Sequence, residues 1–357
     1  MNALSTRRRA GALTAAALAP VPVSAWERIF PKDLISICYH VVSDEDLPHQ
    51  RLIRYKGRRQ FEDDVLFARD RAVSYAEVAA HRLRGAKLPP NSLFFTFDDG
   101  NVECFSVIRP VLLRHGVGAA FFVATDFLDD ERAFEETQLS LCLSEVEQME
   151  AKRARELVEH LGLTVRTADA EREAKKRLRS FRISFASDPD RRRLLFWILS
   201  QPDINLACET IGVDAAAYRR GRQVFLRSEQ VTQLAADGFT IGAHGLNHRS
   251  LEGKDAAEIE HEIVESCAVV RDLTGQARVP FAFPYIGISI SRSVLADILK
   301  RHPFIELFFD SGSLRRDRPF VVNRVFADTP SAAPGSNLPS ILRDAWSRPS
   351  AWFRSPR

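Results

Sequence analysis

Two adjacent carboxylates end an apolar run, Phe95-Thr96-Phe97-Asp98-Asp99-Gly100, and are followed at once by glycine. Neighbouring strand residues point to opposite sides, so two carboxylates at a strand end rarely share one structural task. Taken alone, the pair also fits an aspartate capping a helix N-terminus. A second group, His244-Gly245-Leu246-Asn247-His248, follows the apolar run Phe239–Ala243. Histidines four apart can offer imidazole nitrogens to one ion, and Gly242 and Gly245 let the backbone bend near it. The plain alternative is a pair of hydrogen-bonded loop histidines. Asp99, His244 and His248 together form a familiar open donor set for a divalent cation. A third run, Phe281-Ala282-Phe283-Pro284-Tyr285-Ile286-Gly287, again leads a strand into a tight turn. It could hold a backbone N–H rigidly as an oxyanion donor, or simply end a strand.

These side chains need elements that bring them together. Short continuous apolar runs recur at Leu34–Tyr39, Leu93–Phe97, Ala119–Val123, Phe239–Ala243, Phe281–Phe283, Ile305–Phe309 and Val321–Phe326. Hydrophobicity without alternation means strands covered on both faces, as in a parallel sheet wrapped by helices. Helical patterns at Gln60–Ala68, Glu103–His115, Ala256–Leu273 and Ser291–His302 separate most of them. The reading is α/β, a distorted parallel (β/α) barrel of about seven strands. In such a barrel the strand C-termini share one rim, where Asp99, His244 and His248 can meet.

The domain reading has four parts: a leader at 1–30, a barrel at 31–330, a helical insertion at about 130–224, and a Pro/Ser-rich tail at 331–357. Within the insertion, residues 151–222 carry sixteen Lys and Arg against ten Asp and Glu, with clusters at Lys175–Arg179 and Arg191–Arg193. It reads as a lid, as a basic surface, or as a solvated excursion without a ligand role. Arg7, Arg8 and Arg9, the Ala-rich run to Ala19 and the small residues Val23-Ser24-Ala25 look like a twin-arginine export signal. An uncleaved leader of a cytoplasmic enzyme is the alternative. From Leu34 onward no apolar stretch is long enough for a bilayer span.

Composition narrows the class. The 357 residues are 45% hydrophobic and 27% charged, with net charge +3, an ordinary globular balance that gives no case for a nucleic-acid partner. Five cysteines, none in CxxC spacing, indicate neither a disulfide framework nor a cysteine zinc site; buried core thiols are expected.

With those motifs in place, the chain resembles the polysaccharide deacetylase family with the NodB homology domain, carbohydrate esterase family 4. The resemblance spans about Leu34 to Asp328 and rests on Thr96–Gly100 with His244–His248. Cys38-Tyr39-His40-Val41-Val42-Ser43-Asp44 and Leu47-Pro48-His49 also resemble a bacterial branch linked to surface-glycan assembly. The resemblance implies a divalent ion, usually zinc, on Asp99, His244 and His248, with Asp98 as base and the Tyr285 N–H at the oxyanion. The substrate implied is an N-acetylated glycan.

Two positions depart from the family pattern. Ala282 stands where many relatives have an arginine that orients the base, and no histidine follows His302 to protonate the leaving amine. Arg324 is the expected substitute partner of Asp98. His40 is the first candidate acid because it alone, apart from His244 and His248, follows a strand end; Asp328 is the second. His49, like the remaining histidines, is placed away from the strand C-termini. Two rival functions stay open: a barrel hydrolase of a small-molecule amide or cyclic imide, and a non-catalytic glycan-binding relative.

Overall fold

The computed structural model describes residues 22–130, 132, 134–163, 188–201, 203–328 and 336–348. Most of the export-like segment, the Lys175–Arg179 cluster and Trp352 lie outside the described residues.

Seven parallel strands close into a barrel: β1 Leu34–Tyr39, β2 Ser92–Phe97, β3 Ala119–Val123, β4 Thr240–Ala243, β5 Val279–Ala282, β6 Ile305–Asp310 and β7 Val321–Phe326. They pair in chain order, and β7 returns to β1 through Ser36–Arg324, Ile37–Val325 and Cys38–Phe326. The fifth strand sits two residues earlier at its start than its hydrophobicity suggests. Its register shifts between Val279 and Phe281, across Pro280, which has no N–H to give to a ladder.

The period of two along each strand sorts residues into two cores. Phe94, Ala120, Phe122, Ala282, Leu307, Phe309 and Val322 fill the barrel interior. The alternate set, including Ile37, Phe95, Phe97, Phe121 and Ile241, packs against the surrounding helices. Gly242 makes room inside, since a Cβ there would stand 2.4 Å from the Phe122 ring. By the same parity Asp98 continues the inward set Ser92, Phe94, Thr96, and Arg324 continues from Val322.

Helices cover the barrel at Arg58–Ala68, Tyr75–Arg84, Arg109–His115, Ser228–Ala236, Ala256–Thr274 and Arg292–Arg301. The pattern at Glu103–His115 resolves into a π-helical stretch, Cys104–Ile108, and then an α-helix with Pro110 in its first turn. Proline's missing N–H is tolerated there.

Between β3 and β4 the insertion contributes helices Glu135–Gln148, Ala151–His160, Pro189–Ser200, Ile204–Ile211 and Ala215–Gly221. Asp188, Asp203 and Asp214 cap three of them by accepting first-turn N–H bonds. A separate apolar cluster, including Leu143, Val146, Ala154, Leu194, Leu195, Ile198 and Ile211, packs the insertion's helices together, with Leu52 from the segment after β1 joining it.

Segments read as leader and tail both join the barrel. Val23–Ile29 is a helix with Trp26 buried, and Leu338–Trp346 is a helix with Trp346 fully buried in the same core. Trp346 Nε1 donates to the Phe30 carbonyl at 3.1 Å. Buried Asp64 ties the second helix down: it accepts from Leu338 N at 2.7 Å and from the Tyr39 hydroxyl at 2.9 Å, and it pairs with Lys56. Among the described residues no helix is long and apolar enough to cross a membrane.

Candidate active site

The C-terminal rim holds a pocket of about 240 Å³, lined among others by His40, Asp98, Asp99, His244, His248 and Tyr285. Parity alone would put Asp98 and Asp99 on opposite sides. Asp99 instead takes φ +73°, as does Gly100, so the chain turns left-handed as the strand ends and both carboxylates face the pocket.

Asp98 is fixed by a two-pronged pair: Arg324 Nη1 donates to Oδ1 at 2.6 Å and Nη2 to Oδ2 at 2.8 Å. Burial works against the charged carboxylate, but the Arg324 guanidinium beside it helps hold Asp98 below the usual range. The guanidinium lies over the Phe122 and Phe309 rings, inside the barrel, so it cannot swing out to water. Arg324 from β7 is thus the guanidinium partner of Asp98, where Ala282 on β5 offers none.

Asp99 Oδ1 lies 3.5 Å from His244 Nε2 and 3.3 Å from His248 Nε2. Ligand atoms of the three residues fall within 4.8 Å of one another. His244 Nδ1 is bonded to the Ala282 carbonyl at 2.9 Å, which leaves Nε2 as its free lone pair. Asp99 Oδ1 is buried and has no hydrogen-bond partner among the described residues. An orphaned buried carboxylate oxygen between two imidazole nitrogens fits a divalent cation.

Two anchors shape the histidine loop. Leu246 N donates to Glu262 Oε2 at 3.0 Å, and Thr125 N donates to the Gly245 carbonyl at 3.1 Å. His248, at φ +54°, stacks on Phe134 with ring centroids 4.5 Å apart, and its Nδ1 stands 3.9 Å from Glu136 Oε2. Both partners come from the insertion, which therefore supplies part of the pocket wall.

His40 and Asp328, read as rival proton donors, form one unit. Nδ1 of His40 meets Asp328 Oδ1 at 2.9 Å, while Asp328 Oδ2 accepts from the backbone N–H groups of His40 and Val41. Burial lowers the imidazole's affinity for a proton, yet Asp328 more than offsets this and raises its pKa to about 9. Phe326 stacks on the ring at 5.5 Å.

A family model described as polysaccharide deacetylase matches residues 190–316. Over that stretch the chain is similar to the polysaccharide deacetylases. The matched stretch contains His244, His248 and Tyr285 but stops short of Asp98, Asp99 and Arg324, so it is narrower than the Leu34–Asp328 resemblance. A peptidoglycan deacetylase of Helicobacter pylori is 27% identical over 90 residues, 25% of this chain and 30% of that protein's length. In fold, the chain is similar to IcaB from Ammonifex degensii, with TM-score 0.50, 16% identity, and 88% and 97% of the two chains covered. It is equally similar to the deacetylase PplD of Streptococcus pyogenes, solved with acetate, with TM-score 0.50, 13% identity, and 85% and 96% covered.

Tyr285 sits at φ +58°, half-exposed at the pocket mouth. Its loop is pinned from behind: buried Asp310 accepts from Gly287 N at 2.8 Å, and Arg292 Nη1 donates to the Gly287 carbonyl at 2.8 Å. Those supports were not legible from motif spacing, nor was Glu136. His49 is a correction, because it lines the pocket instead of lying away from the rim. Its Nδ1 meets the Tyr218 hydroxyl at 2.9 Å, and its neighbour Gln50 donates to Asn101 at 2.6 Å. The signal was present in the Leu47-Pro48-His49 resemblance, but no strand end marks it.

Proposed function

We propose that the chain is a metal-dependent hydrolase that removes acetyl groups from N-acetylated sugars of an oligo- or polysaccharide. One observation carries the reading: Asp98 clamped by Arg324, a three-residue ligand set and His40 held by Asp328 converge on one pocket. The match to the deacetylase family and the curated peptidoglycan deacetylase support it.

Asp99, His244 and His248 hold the cation, zinc by the resemblance. A divalent cation there supplies positive charge to an acetamide carbonyl under attack and acidifies water. Asp98, oriented by Arg324, takes the proton of the attacking water, a role worth roughly 10²–10⁴-fold. The Tyr285 N–H donates to the developing oxyanion. His40, with Nδ1 held by Asp328, presents Nε2 to the departing amine and gives it a proton, which an amide nitrogen must gain before it leaves. Leu52, Phe134, Phe283 and Phe326 narrow the pocket and limit water around these charges.

A second reading, hydrolysis of a small-molecule amide, draws on the insertion's wall, which makes a pocket where a long glycan wants a groove. Mass spectrometry separates the two. Zinc-loaded protein is incubated with N-acetylated oligosaccharides, with the monosaccharide and with simple acetamides. Loss of one acetyl mass from the oligosaccharides is the expected result, and Asp98→Asn abolishes it while keeping the metal. Cleavage confined to the simple acetamides overturns the glycan reading.

A further inference from the structure

Five cysteines are buried, and three of them, Cys38, Cys104 and Cys267, belong to the barrel and its flanking helices. The other two meet inside the insertion. Cys142, on Glu135–Gln148, and Cys208, on Ile204–Ile211, place their sulfurs 2.8 Å apart across 66 residues of sequence. Less than about 1 Å separates that approach from the ~2.05 Å of a disulfide bond. No sequence spacing announces such a pair; two packed helices create it.

We infer that Cys142 and Cys208 are a thiol–disulfide site that closes in the presence of a small-molecule disulfide and tethers the pocket wall. Chemistry and placement agree on the order of events. Cys208 lies on a helix whose Leu206 faces solvent and is itself slightly exposed, whereas Cys142 is fully enclosed. The hydrogen bond with Cys142 favours thiolate on Cys208, against the opposing effect of burial. The Cys208 thiolate attacks one sulfur of the disulfide RSSR and releases RS⁻. Cys142 then displaces the second RS⁻ from Cys208, and the two thiol protons leave with two RSH. The protein pair is oxidised by two electrons and RSSR is reduced by two.

The bond's position gives it a consequence for the site. Glu136, Thr137 and Ser140 line the pocket from the helix that carries Cys142. Joining that helix to Ile204–Ile211 fastens the wall to the back of the insertion. It also closes a long loop, the situation in which a cross-link restricts the unfolded chain most.

The test is a thiol count on the intact full-length chain. Protein is incubated with oxidised glutathione, denatured, alkylated and digested. Wild type is expected to lose two of its five alkylatable thiols, to yield one peptide pair joining Cys142 to Cys208, and to gain roughly 5 °C in Tm over the reduced form. Cys208→Ser retains all four remaining thiols, Cys142→Ser stops at a glutathione adduct on Cys208, and neither shows the Tm response to oxidant. Five alkylated thiols in oxidised wild type, a glutathione adduct without the cross-link, or a cross-link to any other cysteine overturns the inference. The wild-type count stands even where a serine variant folds poorly.

Discussion

His40 shows how far a single residue's chemistry depends on its partner. Neutral imidazole in water binds a proton near pH 6.5, and burial alone would reduce that affinity; Asp328 reverses the sign and lifts the pKa to about 9. As the donor to the leaving amine, His40 is competent while protonated, so activity falls as pH rises through that value. A cation in the pocket repels the imidazolium and moves the limb to lower pH, without changing the order of the variants. Asp328→Asn removes the raising charge and should shift the alkaline limb of kcat down by a unit or more. His40→Ala should lose at least tenfold in kcat together with the limb, while retaining metal. If the limb stays in place in His40→Ala protein that still binds metal, another group is the acid. The raised pKa also contributes folding stability that is fully present below about pH 6.5 and fades as pH climbs through about 9.

At the scale of elements, the terminal helix corrects an impression left by composition. Proline, serine and charged residues make the segment after Thr329 look like loose chain, yet Leu338–Trp346 puts Leu338, Ile341, Leu342, Ala345 and Trp346 on one buried face. Spacing of three and four along that stretch is helical, but it covers little more than two turns, too few to stand out. Trp346→Ala removes a fully buried ring and one hydrogen bond, and should cost about 3–5 kcal/mol. Denaturant unfolding followed by far-ultraviolet circular dichroism measures it. A loss under about 1 kcal/mol would mean that the helix is a dispensable appendage. The insertion carries a related lesson: its helices were evident from composition, whereas its contribution of Phe134 and Glu136 to the pocket was not.

For the molecule as a whole, the barrel acts as a frame that gathers distant residues at one rim, and a bound cation should register as global stability. A ligand held only by the folded state adds RT ln(1 + [L]/Kd), about 2.7 kcal/mol at a hundredfold excess over Kd. Zinc should therefore raise the Tm of wild type, and His248→Ala should abolish both the bound metal and the shift. Equal metal content in mutant and wild type, by elemental analysis, would exclude His248 as a ligand. The positions of the strands and the parallel barrel could be read from the sequence, because continuous apolar runs are local properties of the chain, whereas which face of β2 turns inward was decided by the closed barrel. The grouping of Asp99, His244 and His248 was legible for the same reason, since each follows a strand end and strand ends of a closed parallel barrel share a rim. Tertiary structure alone decided the pairing of His40 with Asp328, the arrival of His49 and Glu136 in the pocket, and the meeting of Cys142 with Cys208. Those contacts depend on how loops and inserted helices pack in three dimensions, and no periodicity along the chain encodes that packing.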